Sequence, residues 1–229
     1  MDLAKAAATS NAGSNSPVKV QNFTSWLPQT GGRVTPVTYG KTKPDDGGGT
    51  MAWRILRVRD FEDVKSKPVA NLPKAIVQAR AKHPAKHFTG GHLLAAAFGG
   101  PDRNPKNLTI LSSNSIKHLK VFEKNLVGGF RHLNKAYEAL CSMGLPPEEA
   151  VLSVMIKVKT KGEWDDELPD KNISTHLTCK VQLEGQGDVA AAIKAMAVPP
   201  PDQLVSEYEG HVNQAEIQFK SAKKTVDNK

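Results

Sequence analysis

His92 sits in Gly90-Gly91-His92-Leu93-Leu94, and the residues that follow are ordered in a way that can serve phosphodiester chemistry. Gly99-Gly100-Pro101 marks a turn, Asn107-Leu108 comes next, and Asn114 precedes His118 by four positions. Hydrolysing a phosphodiester needs a base for water, positive charge on the phosphoryl oxygens and help for the departing oxyanion. His92 is the candidate base, because an imidazole is the side chain whose ordinary titration lies nearest neutral pH, and the flanking glycines allow a phosphate backbone to come close. Asn114 has two available jobs: a neutral oxygen ligand for a hard cation such as Mg²⁺, or the cap of the helix that follows. His118 lies about 40° around a regular helix from Asn114, which makes a joint metal site geometrically possible. Glu123 is roughly 180° around and shares no face with Asn114.

Charge gathers around the same segment. The 229-residue chain carries a formal net charge of +8. Between Leu72 and Tyr137 there are eleven Lys or Arg residues and only two acids, Asp102 and Glu123. Lys86, Arg103, Lys106, Lys117, Lys120 and Lys124 are the candidate nucleic-acid contacts within that stretch, since a clustered cationic surface tracks phosphates. Cys141 and Cys179 fit no metal-ligand spacing, and reduced, partly buried thiols are the expectation. No apolar run is long enough for a membrane span and no secretory leader pattern opens the chain. A cytoplasmic location in the producing cell is therefore expected.

The elements that must position these residues can be read coarsely. Residues 1–22 are rich in Ala, Ser, Asn and Gly and are expected to form a flexible arm, with Phe23, Trp26 and Leu27 docking it to the body. Alternation predicts strands over Arg33–Tyr39 and Met51–Val58, paired as a hairpin across the Pro/Gly/Asp loop Lys41–Gly49. Leu72, Ala75, Ile76 and Ala79 predict a helix over Leu72–His83, with Pro73 in its first turn and Pro84 ending it. Phe88–Phe98 reads as strand or helical turn, and Asn107–Leu111 as a short strand. Asn114–Cys141 has helical apolar spacing interrupted by Gly128-Gly129, which predicts a helix pair or one helix with a break. Val151–Val158 and Ile173–Leu183 alternate and predict an antiparallel pair. Asp188–Met196 reads as a helix, Pro199-Pro200-Pro201 as stiff punctuation, and Gln203–Val226 as a charged amphipathic helix.

The His92 segment resembles the ββα-metal (His-Me finger) nucleases, in particular bacterial toxin domains related to DNA/RNA non-specific endonucleases. The residues that carry the resemblance are Gly91-His92-Leu93-Leu94, Gly99-Gly100-Pro101, Asn107-Leu108, Asn114, His118 and Phe122-Glu123, about 35 positions in all. The resemblance implies His92 as general base, Asn114 as the ligand of Mg²⁺ or another divalent metal with His118 beside it, and Asn107 fixing the loop or orienting the base. Arg103, Lys86 and Lys117 are the candidates for stabilising the transition state. The chain departs from the pattern at Thr89-Gly90, where the family carries Asp-Arg, at Gly91, where related enzymes carry an acidic ligand, and at Glu123, which falls one residue late. The expected architecture is α+β, with a ββα-metal core over about 86–126 inside a domain of residues 23–198, additional antiparallel strands, and a C-terminal helix over 199–229. The expected activity is metal-dependent hydrolysis of DNA or RNA. The resemblance further implies a toxin or effector, silenced by an immunity protein and delivered by a secretion or contractile apparatus without a signal peptide. The alternative is a binding or structural protein on the same scaffold that holds nucleic acid without cutting it.

Overall fold

Seven strands and four helices occur among the described residues, which in this computed structural model are 36–43, 47–65, 74–145, 152–162, 173–222 and 224–228. The expected arm, its docking residues, the start of the Arg33–Tyr39 strand and the Leu72-Pro73 start of the first helix lie outside them. Strands β1 (Thr38–Tyr39), β2 (Met51–Arg57), β5 (Ser153–Lys161), β6 (His176–Glu184) and β7 (Lys224–Asp227) form one antiparallel sheet in the order β1-β2-β5-β6-β7. Strands β3 (Phe88–His92) and β4 (Leu108–Ser112) form a separate antiparallel pair. The helices are α1 (Lys74–Lys82), α2 (Ser113–Ser142), α3 (Gln186–Ala195) and α4 (Asp202–Ala222). The fold is α+β, and no described helix is long and apolar enough to cross a membrane.

Alternation decides which sheet face is buried. Ala52, Leu56, Val154, Ile156, Val158, Leu177, Cys179, Val181 and Val226 point inward and join Leu119, Phe122, Leu126, Phe130 and Leu133 of α2 and Val212, Ala215 and Phe219 of α4 in one core. A smaller core lies between α1 and the β3–β4 pair, built from Ala75, Ile76, Ala79, Phe88, Ile110 and Ile173. The thiols of Cys141 and Cys179 are both free, the first exposed and the second buried.

Two expectations change. Gly128-Gly129 does not break the long helix: α2 runs unbroken from Ser113 to Ser142. Gly129 serves packing, because a Cβ there would stand 2.2 Å from Cε1 of Phe219, so only glycine lets α4 come this near. The predicted Gln203–Val226 helix ends at Ala222, and Lys224–Asp227 turn into strand β7, which adds to the edge of β6. Amphipathic spacing reads the side chains but not the free sheet edge that recruits these last residues. The C-terminal segment is thus part of the sheet rather than a helix alone.

Candidate active site

The β3–β4 pair leads directly into α2, a strand–strand–helix unit. Five residue pairs register it, from Phe88 opposite Ser112 to His92 opposite Leu108. Ser112 caps α2 by accepting from the Ser115 amide at 3.2 Å, which supplies one of the donors that a helix start leaves open. That capping job therefore falls to Ser112 and not to Asn114. Gly91 has a packing reason of its own, since a Cβ on it would come 2.3 Å from Cδ1 of Leu111, whose side chain lies across β3 in the main core.

The loop between His92 and Leu108 is held by two buried side chains. Asn107 is fully buried; its Oδ1 accepts from the Leu94 amide at 3.0 Å, and its Nδ2 donates to Leu94 O at 2.9 Å and Pro101 O at 3.2 Å. Its whole amide is committed to the loop backbone, so of the two roles expected for it, fixing the loop is the one its contacts describe. Arg54 of β2, 2% exposed, donates from Nη1 to Phe98 O at 3.0 Å. Burial pushes its guanidinium down to about 10, an effect opposed by Asp60 and Tyr39. Gly99 turns beneath it with a φ of +75°, in a space that the guanidinium would deny to any Cβ. Arg54 ties the His92 loop to the main sheet, a role that a mid-strand arginine gives no local signal for.

His92 itself is 10% exposed at its side chain, with Nε2 3.3 Å from the Asp102 carbonyl oxygen and 3.6 Å from Asp102 Oδ1. A carbonyl oxygen only accepts, so this contact selects the tautomer that carries its proton on Nε2 and leaves Nδ1 as the basic nitrogen. In the sequence Asp102 is one acid in a cationic stretch; the turn at Gly99-Gly100-Pro101 is what returns it to His92. Arg103 is exposed next to it, as are Lys86 and Lys106 nearby in sequence. Lys117, Lys120 and Lys124 are exposed on the face of α2 that turns away from its buried residues.

Asn114 and His118 are both exposed on the first two turns of α2. They precede the stretch of α2 that packs on α4, where Gly128 and Gly129 meet Gln218 and Phe219. At about 100° per residue, Asn114, Asn125 and His132 share one direction, and the His132 ring lies 5.9 Å from that of His211 on α4. Glu123 and Phe130 share the opposite flank, where the Phe130 ring lies 6.0 Å from Phe98 in the His92 loop. The helix thus leaves the Ser112 end of the hairpin and travels toward its loop end. His92 stands four ladder steps, about 13 Å, from the Ser112 level, while the ten residues to Glu123 advance about 15 Å along α2. Glu123 lies partly buried on α2. Burial raises its carboxyl to about 7, with Lys120 opposing. The register leaves Asn114 and His92 at opposite ends of the hairpin. Among the described residues no group of three or more His, Cys, Asp or Glu side chains is placed to hold a metal ion. Asn114 and His118 can offer at most an oxygen and a nitrogen to a hydrated cation.

Comparison of the chain with protein-family models, with curated proteins and with solved structures gives no match.

Proposed function

We propose that the chain is a metal-dependent nuclease built on a ββα-metal core, hydrolysing phosphodiester bonds of DNA or RNA with His92 as general base. The observation that carries this reading is the Gly91-His92 step at the end of β3, followed by a loop pinned by Asn107 and by a strand that runs straight into a helix. In that unit Nδ1 of His92 takes the proton from water. The Asp102 carboxylate, 3.6 Å from Nε2, holds the imidazolium that results. Arg103, exposed beside Asp102, meets phosphoryl charge. A divalent ion such as Mg²⁺, for which Asn114 and His118 are the proposed ligands, would supply charge neutralisation to a bound phosphate, although the register sets these residues at the other end of the hairpin from His92. The toxin, immunity-protein and delivery expectations rest on the family resemblance alone.

A second reading, binding without cleavage, is favoured by one observation: the hairpin register separates His92 from Asn114. One experiment divides the two. Purified protein is incubated with plasmid and with total RNA, in Mg²⁺ or in EDTA, beside His92→Ala and Asn114→Ala. The nuclease reading expects cleavage in Mg²⁺ that EDTA and His92→Ala abolish. Cleavage that persists in His92→Ala refutes the mechanism, and retention of nucleic acid without cleavage under any divalent metal establishes the binding reading. Full activity in Asn114→Ala removes that residue as the metal ligand.

A further inference from the structure

The outer face of the five-stranded sheet has a composition that folding does not explain. Register places its residues in rows across the strands: Thr38, Trp53, Lys157 and Lys180 in one; Met51, Lys159, Thr178 and Thr225 in the next; Ile55, Met155 and Gln182 on one side; Lys161, His176 and Asp227 on the other. The opposite face of the same strands is the buried one. Lys157 stands directly opposite Lys180, and Lys159 and Lys161 continue the same strand face at every second residue. Like charges facing each other across a ladder destabilise it, and lysine is a poor strand former. The familiar use of strand lysines, blocking a sheet edge against pairing, does not account for Lys157 and Lys159, which are paired with β2 on one side and β6 on the other; Lys161 and Lys180 stand just past the residues that β2 and β7 pair. The acids of this face, Glu184 and Asp227, stand at its ends, opposite Ser153 and His176.

Beside the cations runs a partly exposed apolar strip: Met51, Trp53 and Ile55 of β2 and Met155 of β5. A sheet face that combines an aromatic and thioether surface with adjacent cations suits unstacked bases lying on the strip and phosphates meeting the lysines. An acidic polypeptide would satisfy the lysines but has no comparable use for the strip. A duplex offers its phosphates but keeps its bases stacked inside. We infer that this face is a binding platform for single-stranded nucleic acid, carried by Lys157, Lys159, Lys161 and Lys180 with the Met51–Ile55 strip. The platform stands apart from His92 and binds whether or not that residue cuts.

The test uses the full chain carrying His92→Ala, in EDTA, so that cleavage plays no part. Fluorescence anisotropy measures binding of a labelled 20-nucleotide oligo-dT across a salt series, against the same chain with Lys157, Lys159, Lys161 and Lys180 all changed to Gln. Each phosphate contact to a single strand contributes about 0.7 to the slope of log affinity against log salt. Loss of four contacts is therefore expected to flatten the slope by roughly 3 and to weaken binding at least about tenfold at low salt. Circular dichroism and melting keep the variant interpretable: relieving the Lys157–Lys180 repulsion leaves the melting temperature unchanged or higher. Unchanged affinity and slope in a folded variant overturn the proposal. So does wild-type binding of polyglutamate as tightly as of oligo-dT, which points to an acidic protein partner, or tighter binding of a duplex of equal length.

Discussion

Replacing Asn107 by Ala tests whether one buried amide organises the His92 loop. Three hydrogen bonds disappear, to Leu94 N, Leu94 O and Pro101 O. Leu94 is 1% exposed, so water does not readily replace the lost partners. An unsatisfied buried donor or acceptor costs about 1–3 kcal/mol, with partial relaxation expected at the loop carbonyls. The expected loss is about 2–4 kcal/mol, or roughly 6–12 °C in melting temperature for a body of this size. Urea denaturation measures the loss, and amide hydrogen exchange at Leu94 reports whether it is local. Asn107→Asp sharpens the test. A carboxylate keeps the acceptor for the Leu94 amide but sets a negative oxygen against the carbonyls of Leu94 and Pro101, so it is at least as damaging as Ala at pH 8. Burial raises the folded-state pKa of the new carboxyl above its unfolded value, so the folded state binds more protons and stability recovers as pH falls. A loss under about 1 kcal/mol for Ala, without faster exchange at Leu94, refutes the reasoning. So does an Asp variant whose stability relative to wild type ignores pH.

Asn228 is the second such clamp: it is fully buried, accepts from the Ser112 amide and Ser115 hydroxyl, and donates to Ile110 O and Ser174 O. Asn228→Ala is expected to cost about 2–4 kcal/mol by urea denaturation and to raise exchange at the start of α2. Gly129→Ala drives a Cβ to 2.2 Å from the Phe219 ring and is expected to cost about 1–3 kcal/mol; Phe219→Leu in the same chain recovers part of it, and a neutral single variant would show that α4 does not sit this close. Glu123, raised to about 7 by burial, binds more protons folded than unfolded between its unfolded pKa and about 7. Its contribution to stability is therefore present at acid pH and lost as pH rises through that window. Glu123→Gln is expected to gain relative to wild type at pH 8 but not at pH 4, as read by paired denaturation curves; a constant difference contradicts the burial.

Local patterning was sufficient wherever one face of an element is apolar and the other is not. Met51–Val58, Val151–Val158 and Ile173–Leu183 alternate and became β2, β5 and β6, and the spacing from Leu119 to Leu140 became α2. The strand reading of Phe88–Phe98 held only to His92, because the Gly90-Gly91 step is compatible with a strand when Leu111 fills the space that a side chain would take. His92 and Asn107 were visible in the sequence by residue type and order. Their partners were not: nothing local says that Asp102 turns back to His92, or that Arg54, about forty residues upstream, meets the Phe98 carbonyl.

By itself, then, the sequence determined the α+β class, the helical and strand faces and the cationic stretch, and it offered the candidate residues for chemistry, because each depends on side chains a few positions apart. Tertiary structure alone decided that Gly129 packs rather than breaks, that the last residues leave the helix for a sheet edge, that the hairpin register sets His92 and the start of α2 at opposite ends, and that four lysines share one sheet face. These depend on register and on which elements meet. Contacts between residues far apart in the chain set both, and no local pattern encodes them.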